Sequence, residues 1–238
     1  MNNFLPVIFF TFSVTTGLNG IYSSTAQPAY SYINVSKEDT LDENQILFNG
    51  RLWRNLYNKI KEDQFLFSKD FLPGSITIGG ETFKDVSVRY DIYNDEIMTP
   101  TNHGLILRLN KEMVDSFSIN FQNTNWHFTK IPEDSVKILK GYVNVLYSGK
   151  SSLYVRYKKE VELLAVDRKY DRFYQTHKIY FVKDNIVYLV SGKREFFKLM
   201  GDDKQQVRNF IKKNKLSLSR VKPESFVPVI QFYDSLKQ

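Results

Sequence analysis

From about residue 46 the apolar residues recur at every second position, and this period constrains the fold more than any other feature of the chain. Val86, Val88, Tyr90 and Ile92 fall on one side of an extended segment, and Asp85, Ser87, Arg89 and Asp91 on the other. Leu105, Leu107 and Leu109 alternate with Ile106, Arg108 and Asn110. Phe117, Ile119 and Phe121 alternate with Ser118 and Asn120. Successive side chains of a strand point to opposite faces, so the pattern predicts antiparallel strands with one dry face. Turn signals punctuate it at Gly79-Gly80, Tyr93-Asn94-Asp95, Thr101 to Gly104, Ser148-Gly149-Lys150 and Lys183-Asp184-Asn185. Their close spacing predicts hairpins and meanders rather than helical crossovers. The aromatic content, 15% of the chain, suits strands.

Helical periodicity enters only after residue 190. Ser191 is placed to cap a helix over Lys193 to Met200, and Asp202 to cap one over Asp203 to Asn214. In the second, Val207, Phe210 and Ile211 form one apolar stripe. Pro223 suits a helix start, whereas Pro228 requires that the last helix kink or begin late. The expected fold is mainly antiparallel β, α+β overall, with a C-terminal helical segment packed on the sheet. A sandwich, an open barrel and a curved half-barrel all satisfy the pattern. The expected organisation is a β domain over 46–190 and helices over 191–238 in the same globular unit.

The first 26 residues carry no charged side chain. An apolar run from Phe4 to Val14 is followed by small and polar residues ending in Ser24-Thr25-Ala26. That order predicts a secretory signal peptide, 1–26, cut after Ala26, with Gly17 and Gly20 as earlier alternatives. About 11 apolar residues fall short of the ~20 that span a bilayer, so no transmembrane segment is expected in the mature form. The absence of cysteine excludes a lipid anchor on cysteine, disulfides and thiolate metal sites. Residues 27–45 read as a flexible lead-in, with a glycosylation sequon at Asn34-Val35-Ser36 that matters only in a eukaryotic secretory pathway. The expected location is periplasmic or extracellular, in the cell envelope.

The net charge of +7 is unevenly spread. Residues 1–140 hold 13 Lys and Arg against 16 Asp and Glu; residues 141–238 hold 20 against 10. Arg156, Lys158, Lys159, Arg168, Lys169 and Arg172 form the candidate anion-contact patch. Such a patch suits an anionic polymer or lipid head group. A plain solvated sheet face has the same pattern. Export argues against a nucleic-acid partner.

Chemistry-bearing motifs are sparse. The three histidines, His103, His127 and His177, form no His-x-His or His-x-x-x-His pair, so neither a metal nor a cofactor is expected. Gly74-Ser75 and Ser191-Gly192 do not complete a nucleophile elbow, and no phosphate-binding loop is present. Asp91, Asp95 and Glu96, among Tyr90 and Tyr93, form the densest acidic-aromatic cluster. It suits carboxylate chemistry on a sugar, and equally a solvated strand-turn-strand connection. No catalytic residue is assigned.

The segments Gly80 to Val86, Val88 to Glu96, Val145 to Lys150, Tyr157-Lys158-Lys159 and Phe232 to Leu236 together resemble a loose group of exported β-rich proteins of Bacteroidota-type bacteria. The resemblance covers about residues 46–236. It implies an envelope location and carries over no established activity or residue role. Three functions follow as expectations. The first is a non-enzymatic envelope protein that binds a protein or surface polymer. The second is a carrier of an amphipathic or anionic lipid-like ligand under the sheet. The third, ranked last, is a carboxylate-dependent glycan hydrolase.

Overall fold

Three two-residue turns set the strand registers. Gly79-Gly80, Gln122-Asn123 and Asp184-Asn185 hold positive φ at both positions, at 58° and 83°, 50° and 59°, and 51° and 59°. Turns of this kind twist in the same sense as the strands they join. In the computed structural model residues 46–131, 139–163 and 171–237 are described. The expectations for the signal peptide, the lead-in and the sequon fall on residues 1–45, outside the described residues, and so do Arg168 and Lys169.

Among the described residues eleven strands form one mainly antiparallel, open and curved sheet. In chain order they are β1 (Gly50–Leu52), β2 (Leu72–Ile78), β3 (Glu81–Asp91), β4 (Glu96–Pro100), β5 (Ile106–Leu109), β6 (Val114–Phe121), β7 (Thr124–Ile131), β8 (Gly141–Ser148), β9 (Ser152–Glu162), β10 (Arg172–Lys183) and β11 (Ile186–Leu189). Their spatial order is β1-β5-β4-β3-β2-β6-β7-β8-β9-β10-β11, so β6 through β11 run as a plain meander. A bulge in β2 between Gly74 and Ile76 helps the sheet bend. At Gly74 a Cβ would lie 2.0 Å from the Ser118 carbonyl oxygen, so only glycine lets the two backbones approach.

The curl brings distant strands together. Lys159 N donates to the Ile92 carbonyl at 3.2 Å, although β3 and β9 lie five steps apart in the sheet order. Residues 61–66 stitch this junction. Leu66 N donates to Tyr90 O, Ile92 N to Gln64 O, Lys61 N to Asp171 O and Phe173 N to Lys61 O. Inside the curl Tyr90, Phe117, Phe128 and Tyr142 pack at ring separations of 4.8 to 6.1 Å, with Phe117 stacked on Phe128. Each of these side chains is essentially fully buried and contributes about 1.5–3 kcal/mol by its removal from water.

Among the described residues three α-helices cover the sheet beyond this core: α1 (Lys193–Leu199), α2 (Lys204–Lys213) and α3 (Val227–Ser235). Phe196, Val207, Phe226, Val229, Ile230 and Tyr233 bury against Leu153, Val155, Ile179 and Phe181 of β9 and β10. Pro228 sits in the first turn of α3, where its missing N–H leaves no intrahelical bond unmade, so the helix begins late rather than kinks. The expected caps are corrected. Gly192 and Asp203 occupy the two N-cap positions, neither with a side-chain cap bond, and the Ser191 hydroxyl turns instead to the Glu195 carboxylate.

The expected wet face of β3 is also corrected. Arg89 is 8% exposed and Asp91 fully buried, because residues of the 53–71 segment lie over them. The Arg89 guanidinium stands 4.8, 4.1 and 4.4 Å from the ring centres of Trp53, Phe65 and Phe71, and donates to Lys69 O at 2.8 Å. Burial lowers its pKa. No helix among the described residues is long and apolar enough to cross a membrane.

Candidate functional site

The pairing of β9 with β10 decides which of the basic residues stand together. The register sets Glu162 opposite Arg172, Glu160 opposite Tyr174, Lys158 opposite Thr176 and Arg156 opposite Lys178. All eight project from the face turned away from the helices, because Leu153, Val155, Ile179 and Phe181 take the alternate positions. Half of this strip is self-neutralised. Arg172 Nε lies 2.5 Å from Glu162 Oε2, and Lys158 Nζ lies 2.9 Å from Glu160 Oε1. Tyr174 donates its hydroxyl to Glu160 at 2.6 Å, and that bond, followed by Lys158, holds the Glu160 carboxyl below its usual range.

The other half is not neutralised. Arg156 and Lys178 face each other across the strands, and neither has a carboxylate at ion-pair distance among the described residues. Like charges directly opposite on a sheet are destabilising. Lys159 points to the opposite face, where its ammonium binds Asp63 O at 2.7 Å and Asp63 Oδ1 at 3.0 Å. The structure therefore groups Arg156, Lys158 and Arg172 and separates Lys159 from them. It adds Lys178, which the sequence reading left out. The only available signal was the cross-strand position of Lys178, and the β9–β10 register that reveals it spans a long connection with no turn motif.

The acidic-aromatic cluster is spent on holding its turn. Asp91 Oδ1 accepts from the N–H of Tyr93 and Asn94 at 2.9 and 2.8 Å, and Oδ2 from Asn94 Nδ2 at 2.8 Å. Burial raises the Asp91 pKa against these bonds. Asp95 accepts the Tyr90 hydroxyl at 2.6 Å and pairs with Lys111, while Glu96 pairs with Arg108 at 3.1 Å. Glu96, Arg108 and Lys111 border a shallow polar concavity of about 360 Å³ with Asn49, Asn94 and Asn110. Among the described residues no group of three His, Asp or Glu side chains gathers in ligating geometry. His177 Nε2 lies 2.6 Å from Arg220 O, and His103 and His127 are exposed.

Two of the segments that carry the resemblance meet at the far end of β8. Asp234, 8% exposed, accepts Ser151 Oγ at 2.6 Å, Ser151 N at 2.9 Å and the Tyr147 hydroxyl at 3.1 Å. A Cβ at Gly149 would stand 2.3 Å from Tyr147 Oη and 2.8 Å from Asp234 Oδ2, so a larger residue there would displace one of these side-chain ends. A second concavity, about 340 Å³, opens beside this junction between Lys150, Lys183 and Lys237. Its cations are offset by carboxylates: Lys237 pairs with Asp203 at 2.6 Å, and Asp184 and Asp234 lie in the lining.

Comparison of the chain with family models, with curated proteins and with solved structures gives no match.

Proposed function

We propose that this protein is an exported, non-enzymatic binding protein of the cell envelope, and that the outward face of β9 and β10 takes an acidic surface polymer. The opposed pair Arg156 and Lys178 carries the reading, because two cations side by side on the sheet, with no carboxylate at ion-pair distance among the described residues, gain most from an anion laid across them. The excess of basic residues after position 140 supports it. Export rests on the uncharged, apolar opening of the sequence. The packed rings that fill the inside of the curl favour a surface site over a carrier's apolar cavity. The hydrogen-bonded roles of Asp91, Asp95 and Glu96 favour binding over hydrolysis.

The test is titration with polygalacturonate, a linear polymer with one carboxylate per sugar, at low and moderate salt. Binding should weaken as salt rises, since exposed charges are screened. At about 1 kcal/mol per cation near an anionic surface, the double variant Arg156→Gln, Lys178→Gln should bind roughly tenfold or more weakly. Salt-independent binding, or equal affinity of the variant, refutes the proposal.

A further inference from the structure

The sheet is open, and its two edges differ. β1 offers three residues, one of them Arg51, beside the polar concavity. β11 offers Ile186-Val187-Tyr188-Leu189, with no charge, proline or bulge, and with Ile186 53% and Leu189 45% exposed. Charge, proline and bulges are among the devices that ordinarily blunt a native edge strand, and shortness alone guards β11. The direction of the free backbone groups follows from the hairpin. Val190 N donates to Ile179 O, so Ile186 and Tyr188 also bond inward to β10, and the N–H and C=O of Val187 and Leu189 point outward. Among the described residues nothing pairs with them.

We propose that β11 is a dimerisation edge, occupied by the β11 strand of a second copy of this chain, antiparallel about a two-fold axis at Tyr188. In that register Val187 of each copy faces Leu189 of the other and exchanges both backbone bonds with it, giving four across the axis. Asp184 is exposed in the turn before β11, and Lys193 and Arg194 are exposed beyond its other end, so antiparallel pairing brings unlike charges together at each end of the seam. The strand is therefore complementary to itself in both hydrogen bonding and charge. A four-residue edge buries less than a standard interface, so the dimer is weak by itself. Its consequence rests on the proposed polymer-binding reading. With strands about 4.8 Å apart, the two β10 strands lie about 14 Å from one another on one continuous face. A single anionic chain can then engage both basic strips, and joining two weak sites raises avidity without any new contact.

Sedimentation of the full-length protein from about 5 to 500 μM should show a reversible monomer–dimer equilibrium, as expected for a sub-standard interface. Val187→Pro removes an outward N–H and leaves every bond to β10 in place, so it should be monomeric throughout with unchanged circular dichroism. Leu189→Lys, at an exposed position, is the second variant should the proline disturb folding. A parent that stays monomeric, or two folded variants that dimerise like the parent, overturns the proposal. Polygalacturonate titration of the parent and of Val187→Pro separates the two readings. Polymer binding without dimers leaves the basic strip and removes the edge; dimers without polymer binding do the reverse. With both in place, long polymer should bind the parent at least several-fold more tightly than Val187→Pro, while a short oligomer should not distinguish them.

Discussion

Replacing Asp234 by alanine should undo the junction between α3 and the β8–β9 hairpin. Its carboxylate accepts three hydrogen bonds, two from Ser151 and one from Tyr147, in a site only 8% exposed. A hydrogen bond to a charged group contributes about 1.5–3 kcal/mol net, and each buried donor left without an acceptor costs about 1–3 kcal/mol. The three bonds share one acceptor group and are not additive, so the expected loss is about 3–5 kcal/mol, in the range for breaking a buried charged network. For a chain of this size, roughly 2–4 °C per kcal/mol, that lowers Tm by about 6–20 °C. Urea unfolding at neutral pH is the assay, with the midpoint falling at constant slope. Gly149→Ala should disturb the same junction, since its Cβ displaces the Tyr147 hydroxyl or the Asp234 carboxylate. In the Asp234→Ala background the same change should cost less, which a double-mutant cycle measures. A loss under about 1 kcal/mol for Asp234→Ala, or strict additivity with Gly149→Ala, would refute the network.

Arg89→Ala should cost about 3 kcal/mol, as the cation over three rings and its packing are both lost, and should speed hydrogen exchange in residues 53–71 ahead of the β8–β10 strands. Arg89→Met should recover most of that, because the guanidinium is buried without an ion-pair partner among the described residues, and an apolar side chain of similar length avoids its desolvation. Alkaline pH should destabilise the fold. Burial pushes the Tyr157 phenol up to about 12, and raises Tyr90, Tyr142 and Tyr180 as well. Between the ordinary tyrosine value of 10.0 and these folded values the unfolded chain sheds protons that the folded chain keeps. Stability is therefore full below about 10 and lost as pH rises through the folded pKa. Tyrosinate absorbance against urea midpoints checks this, and Tyr157→Phe should flatten the decline.

The elements were largely legible in the sequence because each rests on local chemistry. Period-two alternation located the strands around Tyr90 and Phe117, paired glycines marked the β2–β3 turn, and the Val207, Phe210 and Ile211 stripe marked α2. Gln122-Asn123 escaped notice because glutamine is not a usual residue for positive φ. Arg89 and Asp91 read as solvated because alternation reports which face a side chain takes, and says nothing of a later segment folding over that face. The basic residues were legible as a group but not as a site. Lys159 leaves it by strand parity, and Lys178 joins it through a partner strand.

By itself, then, the sequence determined that the chain forms an antiparallel sheet with a helical end, that its aromatic residues belong mainly to the core, and that its positive charge collects after residue 140. Those properties depend on neighbours within a few positions, where backbone geometry dictates direction. Only the tertiary structure decided that eleven strands make one curled sheet, that Ile92 meets Lys159, that Asp234 closes on Ser151, and that Arg156 stands against Lys178. Each of these joins residues far apart in the chain. Their pairing is selected by the burial and hydrogen bonding of the whole fold at once, and no local pattern encodes it.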